Sequence, residues 1–272
     1  MIPDFLKSTV NVLFYFLVLG VALSPLEKAF FANKQPLFRK QWLTDFSFYA
    51  LQNLLWVNLT LFCLTFAHQN LQFEQTEKLR QSVATWPLAI QIICIILISD
   101  LLIYWAHRLS HKSNFLWRFH RVHHTPVTMD WAAAFREHPL DNVYTRLIVN
   151  LPALFLGFPL ETIAVFIVFR GLWGNFIHSN TRFGLGPFKY ILGSPRLHHW
   201  HHDLHKNSNC NFANLMPLMD LLFGTFYDPG KFPEKYGVPE KLSHHYLIQM
   251  ATPFLPRKIA SRLNGYFNEK RN

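Results

Sequence analysis

Residues 86–111 read WPLAIQIICIILISDLLIYWAHRLSH. The apolar run from Trp86 to Ala106 has the dense stretch IICIILIS at its centre. It is long enough to cross a bilayer as one helix, which takes about 20 residues. Asp100 sits near its end. Immediately after it come His107 and His111, spaced i and i+4, so their rings project from one helix face about one turn apart. A hydrocarbon span that runs out into a pair of imidazoles decides the fold class. It is all-α: a polytopic membrane helical bundle with metal-binding side chains at the mouth of its membrane body.

Three further apolar blocks fit that reading. Val10 to Leu23 is interrupted by Asn11 and Gly20 and ended by Ser24 and Pro25, with no convincing small-residue cleavage site after it. It reads as an uncleaved anchor. Phe46 to Ala67 is a second span, and its amides at Gln52, Asn53 and Asn58 should face protein rather than lipid. Leu147 to Ile177 is broken by Pro152, Gly157, Pro159 and Glu161. Two short halves joined around Gly157, Phe158 and Pro159 predict a helical hairpin, with full crossing of the bilayer left open. Composition agrees: 50% of residues are hydrophobic and 15% charged, against about 25% charged in a soluble domain. Three cysteines exclude a disulfide-stapled fold. Cys63 and Cys94 lie in apolar runs, and Cys210 has no CxxC partner.

The net charge of +10 invites an anionic partner, but the cations are scattered and no nucleic-acid recognition motif accompanies them. Lys28, Lys34, Arg39 and Lys40 lie in the 25–45 loop. Arg108, Lys112, Arg118, Arg121 and Arg136 follow the third span, and 12 Lys/Arg face 6 Asp/Glu from His178 onward. The positive-inside bias places these segments on the cytoplasmic side, so the bundle should carry a cytoplasmic helical cap. The chain divides into N-terminal transmembrane segments at 1–94, a histidine-bearing unit with the hairpin at 95–228, and a basic C-terminal tail at 229–272.

The chain has 15 histidines, 12 of them between His107 and His205. FHRVHH supplies His120, His123 and His124, and RLHHWHHD supplies His198, His201 and His202, each set at i, i+3 and i+4. That spacing predicts one helical face per set; His199 falls off it, and His205 continues it at i+7. NFIHSN adds His178. One HxxxH alone is commonly a helix-surface pair. Three such boxes, set in apolar and aromatic sequence and separated by whole spans, do not resemble a repetitive metal-storage tract. Zinc takes four ligands in structural sites and three in catalytic ones, so eight or nine imidazoles match two metals at four to five ligands each. Imidazole suits iron, zinc and copper alike. The position at the mouth of a membrane body suits an oxygen-activating iron pair acting on lipid.

HRLSH, HRVHH and HHWHH, in that order and followed by Asp203, resemble the fatty acid hydroxylase/sterol desaturase superfamily over residues 95–228. Its members include sterol desaturases, sterol methyl oxidases, fatty acid hydroxylases and alkylglycerol monooxygenase, and the HxxxH first box is the spacing of the sterol desaturase side. The resemblance implies an integral membrane enzyme with a cytosol-facing site for two iron ions. Such an enzyme uses O2 and electrons to hydroxylate or desaturate a lipid. Carried over by position, the ligands are His107, His111, His120, His123, His124, His198, His201 and His202, with His178 as the extra ligand between the second and third boxes. His138 resembles a recurring family histidine, and His199 and His205 are ambiguous. His68, His244 and His245 read as ordinary loop residues.

Asp100, Asp203 and Asp141 are candidate carboxylates for imidazole N–H groups, each equally able to cap a helix or pair with an arginine. Trp105, Trp117, Trp131, Phe135, Trp173 and Trp200 are candidates to line the lipid's access route. No cytochrome b5-like domain and no GxGxxG fingerprint is present. Electrons are therefore expected from a separate donor protein, ferredoxin- or cytochrome b5-like with its reductase, docking on the basic face. Two other readings stand beside this one. A zinc-dependent membrane hydrolase would need Glu137 as its base. A non-catalytic metal-binding membrane protein would thread polar residues through its spans, and the third span is nearly pure hydrocarbon. Sterol, fatty acyl chain, ether lipid, hopanoid and carotenoid stay open as substrates, as does hydroxylation against desaturation. The unfused chain, ending EKRN without a dilysine signal, favours a bacterial inner membrane over the ER membrane.

Overall fold

The computed structural model describes residues 4–70, 77–205, 208–240 and 242–269. Among the described residues every regular element is helical, and β pairing is confined to isolated bridges of Phe31 with Thr181 and of Asp203 with Tyr236. Four stretches are long and apolar enough to cross a membrane: Lys7–Ala29, Trp42–Ala67, Leu88–Lys112 and Leu160–His178. Only 6% of the apolar window of each of the first two is buried inside the protein. Side chains such as Phe14, Leu17, Leu61 and Phe62 point outward. Lipid must cover them, since water would not tolerate so large a contiguous apolar surface. The chain is a multi-pass membrane protein.

The first helix, α1 (Asp4–Ala29), runs through Ser24 and Pro25 instead of stopping there. Its last turn is held from outside. The Glu27 carboxylate accepts from the backbone amides of Trp131 (2.8 Å) and Asn180 (2.9 Å), and the Trp131 indole donates to Ser24 Oγ. The second span is two helices, α2 (Trp42–Leu51) and α3 (Val57–Asn70), joined by a π turn at Gln52–Trp56. Gln52 donates to Asn142 Oδ1, as its amide requires. Asn53 satisfies itself on the Tyr49 carbonyl of its own helix, and Asn58 is exposed rather than facing protein.

After α4 (Glu77–Ala84), α5 (Leu88–Lys112) carries the third span and both first-box histidines on one unbroken helix. It is followed by α6 (Asn114–His120) and a 3-10 turn at Trp131–Phe135. The predicted hairpin is α7 (Pro139–Phe155) and α8 (Leu160–His178). Its turn rests on Gly157, whose φ of 79° favours glycine, and a Cβ there would lie 2.5 Å from the Cβ of Arg80. The halves are not both short: α8, at 19 residues, is long enough to span by itself. The short helices α9 (Pro195–His201), α10 (Leu218–Leu222) and α11 (Tyr246–Ala251) and the amphipathic α12 (Arg257–Glu269) complete the chain.

Two cores hold the bundle. Val83, Ile95, Ile103, Val149, Ile163 and Phe166 pack α5 against the hairpin. Phe16, Tyr49, Trp131 and Phe135 pack α1 and α2 against the 3-10 turn. One end of the bundle gathers the C-termini of α1, α5 and α8 with the N-termini of α2 and α7. A buried ion network ties these ends together. Arg136 Nε donates to Asp45 Oδ1 (2.5 Å), Arg39 pairs with Asp45, and Arg39 also donates to Asp130 (2.6 Å). Arg39 and Arg136 are 4% and 0% exposed, so they are not the solvated loop cations that the charge pattern suggests. The described part of the 229–272 segment folds back onto this end: the Met250 carbonyl accepts from His138, and the Leu255 carbonyl from Arg118.

Candidate metal centre

The nine histidines His107, His111, His120, His123, His124, His178, His198, His201 and His202 meet at this end in two adjoining clusters. His107, His111, His120, His124 and His201 form one, and His123, His178, His198 and His202 the other. Within each, the ligand atoms all lie within 4.8 Å of one another. His107 and His111 come from the last turns of α5, and His178 is the last residue of α8. His198 and His201 come from α9, with His202 just past its end.

The second box does not lie on one helical face. Helix α6 ends at His120, and the chain turns through i→i+3 bonds such as His123 N to His120 O (2.9 Å). Pro126 follows closely, and the residue before a proline is driven out of the helical region. The turn sends His123 toward α8 while His120 and His124 stay with α5. Likewise α9 ends at His201, so His205 does not continue its face and is exposed.

Hydrogen bonds at the far ring nitrogens set the tautomers. Nδ1 of His107 faces the Phe212 carbonyl (2.8 Å), Nδ1 of His201 that of Cys210 (2.8 Å), and Nδ1 of His178 that of Gly174 (2.7 Å). Nδ1 of His123 faces the Arg136 carbonyl (3.2 Å), and Nδ1 of His120 the Asp141 carboxylate (2.9 Å). Each of those oxygens can only accept, so each Nδ1 carries the hydrogen, and a ring in its neutral form presents a bare Nε2. Yet His107 Nε2 lies 3.0 Å from His120 Nε2, and His123 Nε2 lies 3.1 Å from His178 Nε2. Two lone pairs with no proton between them repel at that distance unless a cation sits among them. Nitrogens about 2.0–2.1 Å from a shared first-row metal lie about 3.0–3.4 Å apart. Nε2 of His201 is buried with no partner, as a vacant ligand atom would be. The donor set fits two metal ions.

Burial, reinforced by neighbouring imidazoles, holds His123, His124, His198 and His202 well below the ordinary histidine range. His201 is lowered to about 3, chiefly by burial. These rings stay neutral at physiological pH, the form that binds metal. The sign of the pH effect follows. A folded pKa below the unfolded value of about 6.5 contributes stability that is complete above it and is lost as pH falls. Metal-free protein in detergent is therefore expected to melt at progressively lower temperature as pH drops from 7.5 to 5. A flat or rising melting temperature would contradict it.

Of the carboxylate candidates, Asp141 alone meets an imidazole, at His120. Asp100 accepts instead from the Met216 amide (2.5 Å) and Asp203 from the His205 amide (3.2 Å), so both brace the loops around the site. Asp141→Asn is expected to lower metal affinity or turnover about 10–100-fold with the fold intact, read by metal titration of the purified variant.

His199 is also buried, but its Nδ1 meets the Tyr236 hydroxyl (2.9 Å) and its Nε2 the Ser179 carbonyl (3.0 Å), which pins α9 to the end of α8. His138 caps α7 by accepting from the Leu140 amide. Cys210 contributes its carbonyl to His201 and belongs to neither cluster. His244 lies 3.5 Å from Arg136 Nη1, beside the ion network rather than in a plain loop. The side chain of His68 lies outside the described residues.

A cavity of about 310 Å³ opens onto both clusters, reaching His107 and His120 of one and His123, His178 and His198 of the other. Of the aromatic candidates only Phe135 lines it. Trp131 is in the core, and the Trp200 indole is buried against the Lys231 carbonyl (2.6 Å). Sequence reasoning passed over Arg146 and Arg170, which do line it; an arginine inside the apolar 147–177 block was the available signal.

The fatty acid hydroxylase family profile matches residues 92–225. The chain is 32% identical over 171 residues to ornithine lipid hydroxylase OlsE of Rhizobium tropici, covering 62% of this chain and 52% of that protein. It is 32% identical over 178 residues to alkylglycerol monooxygenase of Homo sapiens, covering 61% and 37%. It is 32% identical over 145 residues to very-long-chain aldehyde decarbonylase GL1-10 of Oryza sativa subsp. japonica, covering 51% and 46%. The chain thus spans about half the length of these relatives, or less. No solved structure matches it significantly. Residues 92–225, with all three histidine boxes in order, place the chain in the fatty acid hydroxylase/sterol desaturase superfamily.

Proposed function

We propose that this protein is an integral membrane non-haem di-iron oxygenase that hydroxylates or desaturates a lipid with O2 and external electrons. One observation carries the reading: nine imidazoles in two adjoining clusters, with Nε2 atoms facing each other at 3.0 and 3.1 Å. His107, His111, His120, His124 and His201 would hold one iron, and His123, His178, His198 and His202 the other. The iron pair, when bound, supplies the O2 activation and C–H oxidation that no side chain can perform. The chain's own residues position and shield. Asp141 and the Arg136, Gly174, Phe212 and Cys210 carbonyls aim the Nε2 atoms of His120, His123, His178, His107 and His201 inward. The cavity admits the lipid, and the buried walls exclude water.

Residues 95–228 form the catalytic unit in this reading, with 1–94 as its membrane anchor and 229–272 packed beneath. Loop charge supports a cytoplasmic position for the histidines, where a ferredoxin- or cytochrome b5-like donor would meet the basic face. A bacterial inner membrane is the proposed location.

A zinc hydrolase is the second reading, since Glu137 does line the cavity. Burial and the Asp141 charge push its carboxyl above the usual range, and it is engaged by the Asn142 amide (2.5 Å). Metal analysis together with lipidomics of cells with and without the protein, at controlled O2, tests the choice. The expected result is two irons per chain and an O2-dependent gain of one oxygen, or loss of two hydrogens, on one lipid class. Zinc in place of iron, with hydrolysis products and no O2 dependence, would overturn it.

A further inference from the structure

The cavity that reaches the histidines is not a hydrocarbon slot. Arg146, Arg170, Asn142, Asn150 and Asn175 line it together with the apolar side chains Ile103, Val149 and Phe166. The chain builds this polar lining by helical spacing. Asn142, Arg146 and Asn150 follow at i, i+4 and i+8 on one face of α7, and Arg170, Gly174 and His178 do the same on α8. Eight residues at 1.5 Å each put Arg170 about 12 Å along the axis from His178. By the same arithmetic Arg146 stands about 7.5 Å along α7 from Asp141, which holds His120. Arg170 therefore lies just over two turns from His178, and Arg146 between one and two turns from the carboxylate that holds His120. Gly171 and Gly174 also line the cavity, and a Cβ at either meets nothing within 4 Å, so this stretch of α8 leaves open space beside Arg170.

Among the described residues neither arginine is in an ion pair. Among the described residues Arg170 makes no ion pair and no hydrogen bond, and Arg146 spends only its Nε, on Asn142 (2.8 Å). The nearby acids Asp100 and Glu137 attract Arg170 from beyond ion-pair distance, while accepting hydrogen bonds from the Met216 amide and Asn142. An arginine within a membrane-spanning helix is costly and normally faces a partner in a pathway. Its planar fork suits a carboxylate or phosphate, which it grips with two parallel bonds. A wholly neutral lipid would leave Arg170 without an ion-pair partner and Arg146 with only its Nε engaged.

We propose that the substrate is a lipid bearing an anionic group, carboxylate or phosphate, held between α7 and α8 by Arg146 and Arg170. This deepens the oxygenase reading, resting on it for the identity of the bound molecule as substrate. The arginines are specificity residues; they orient the lipid and touch none of the histidines' ligand atoms. The polar lining then fixes which part of the lipid lies beside the metals, while the apolar side chains of the cavity receive a chain.

Lipid retention by metal-free protein tests this without turnover. Purified protein in neutral detergent is offered equal amounts of dioleoylglycerol, its phosphate ester (phosphatidic acid) and its hemisuccinate, and retained lipid is read by native mass spectrometry. Wild type is expected to retain phosphatidic acid or the hemisuccinate at least about tenfold over dioleoylglycerol, a difference of about 1.4 kcal/mol. The favoured arm identifies phosphate or carboxylate. Arg170→Gln and Arg146→Gln are each expected to lose most of the preference, and Arg170→Lys to keep part of it. Each variant's melting temperature is compared with wild type; if Arg170→Gln is unfolded, Arg146→Gln and Arg170→Lys decide. Equal retention of all three lipids by wild type, or an undiminished preference in the folded glutamine variants, overturns the proposal. Iron content separates the two readings. Two irons with no anionic preference removes this inference alone, whereas an anionic preference in a chain that takes up no iron removes the oxygenase reading alone.

Discussion

His123→Ala and His201→Ala are each expected to abolish turnover, by about a thousandfold or more, equivalent to at least about 4 kcal/mol of barrier. Each is expected to empty one metal position rather than both. The two residues lie on either side of the division between clusters: His201 with His107, His111, His120 and His124, and His123 with His178, His198 and His202. Removing His201 takes the atom whose Nε2 is otherwise buried without a partner. Removing His123 takes one of four imidazoles in its cluster and leaves the Arg136 carbonyl without its donor. Iron per chain, measured beside O2-dependent lipid oxidation, should fall from two toward one in each single variant and toward zero in the double. Full iron occupancy and turnover in both single variants would sink the metal assignment.

Asp45→Ala is expected to destabilise the protein by about 3–5 kcal/mol, the usual cost of breaking a buried charge network on one side. Asp45 is fully buried and pairs with both Arg39 and Arg136. Without it two guanidinium groups near the histidines keep only Asp130, beside Arg39, as a compensating acid. The damage should reach the metal centre, because the Arg136 carbonyl fixes the His123 ring. Thermal unfolding in detergent together with iron content checks this. A variant with wild-type melting temperature and full iron would show that the network is dispensable. Asp45→Asn keeps the shape without the charge and is expected to fall between the two. Replacing both Arg136 and Asp45 by leucine should cost less than Asp45→Ala, since neither charge is then left unpaired.

These expectations depend on features of different legibility. The third span and its HxxxH pair could be read directly, because a run of apolar side chains and an i, i+4 spacing are local properties of one helix. The hairpin turn at Gly157 was equally local, since glycine and flanking prolines act on their own backbone. The end of α1 was misjudged. Pro25 is a poor helix residue in isolation, but Glu27 is held by amides from Trp131 and Asn180, more than a hundred residues away in sequence.

The second box shows the same limit at the site. Its i, i+3, i+4 spacing would keep His120, His123 and His124 on one face only if the helix continued past His120. Arg39 and Arg136 counted toward the cytoplasmic loop charge, and composition cannot reveal that Asp45 and Asp130 close around them.

The sequence by itself determined that this chain is a helical membrane protein carrying nine histidines in metal-binding patterns, because hydrophobic run length and helical spacing are written residue by residue. Only the tertiary structure decided how those histidines divide five and four between two clusters. It alone decided that Asp141, and neither Asp100 nor Asp203, holds an imidazole, and that two arginines line the cavity onto which the histidines open. Each of those outcomes depends on where distant helix ends meet, and that is set by packing and buried charge pairing across the whole fold.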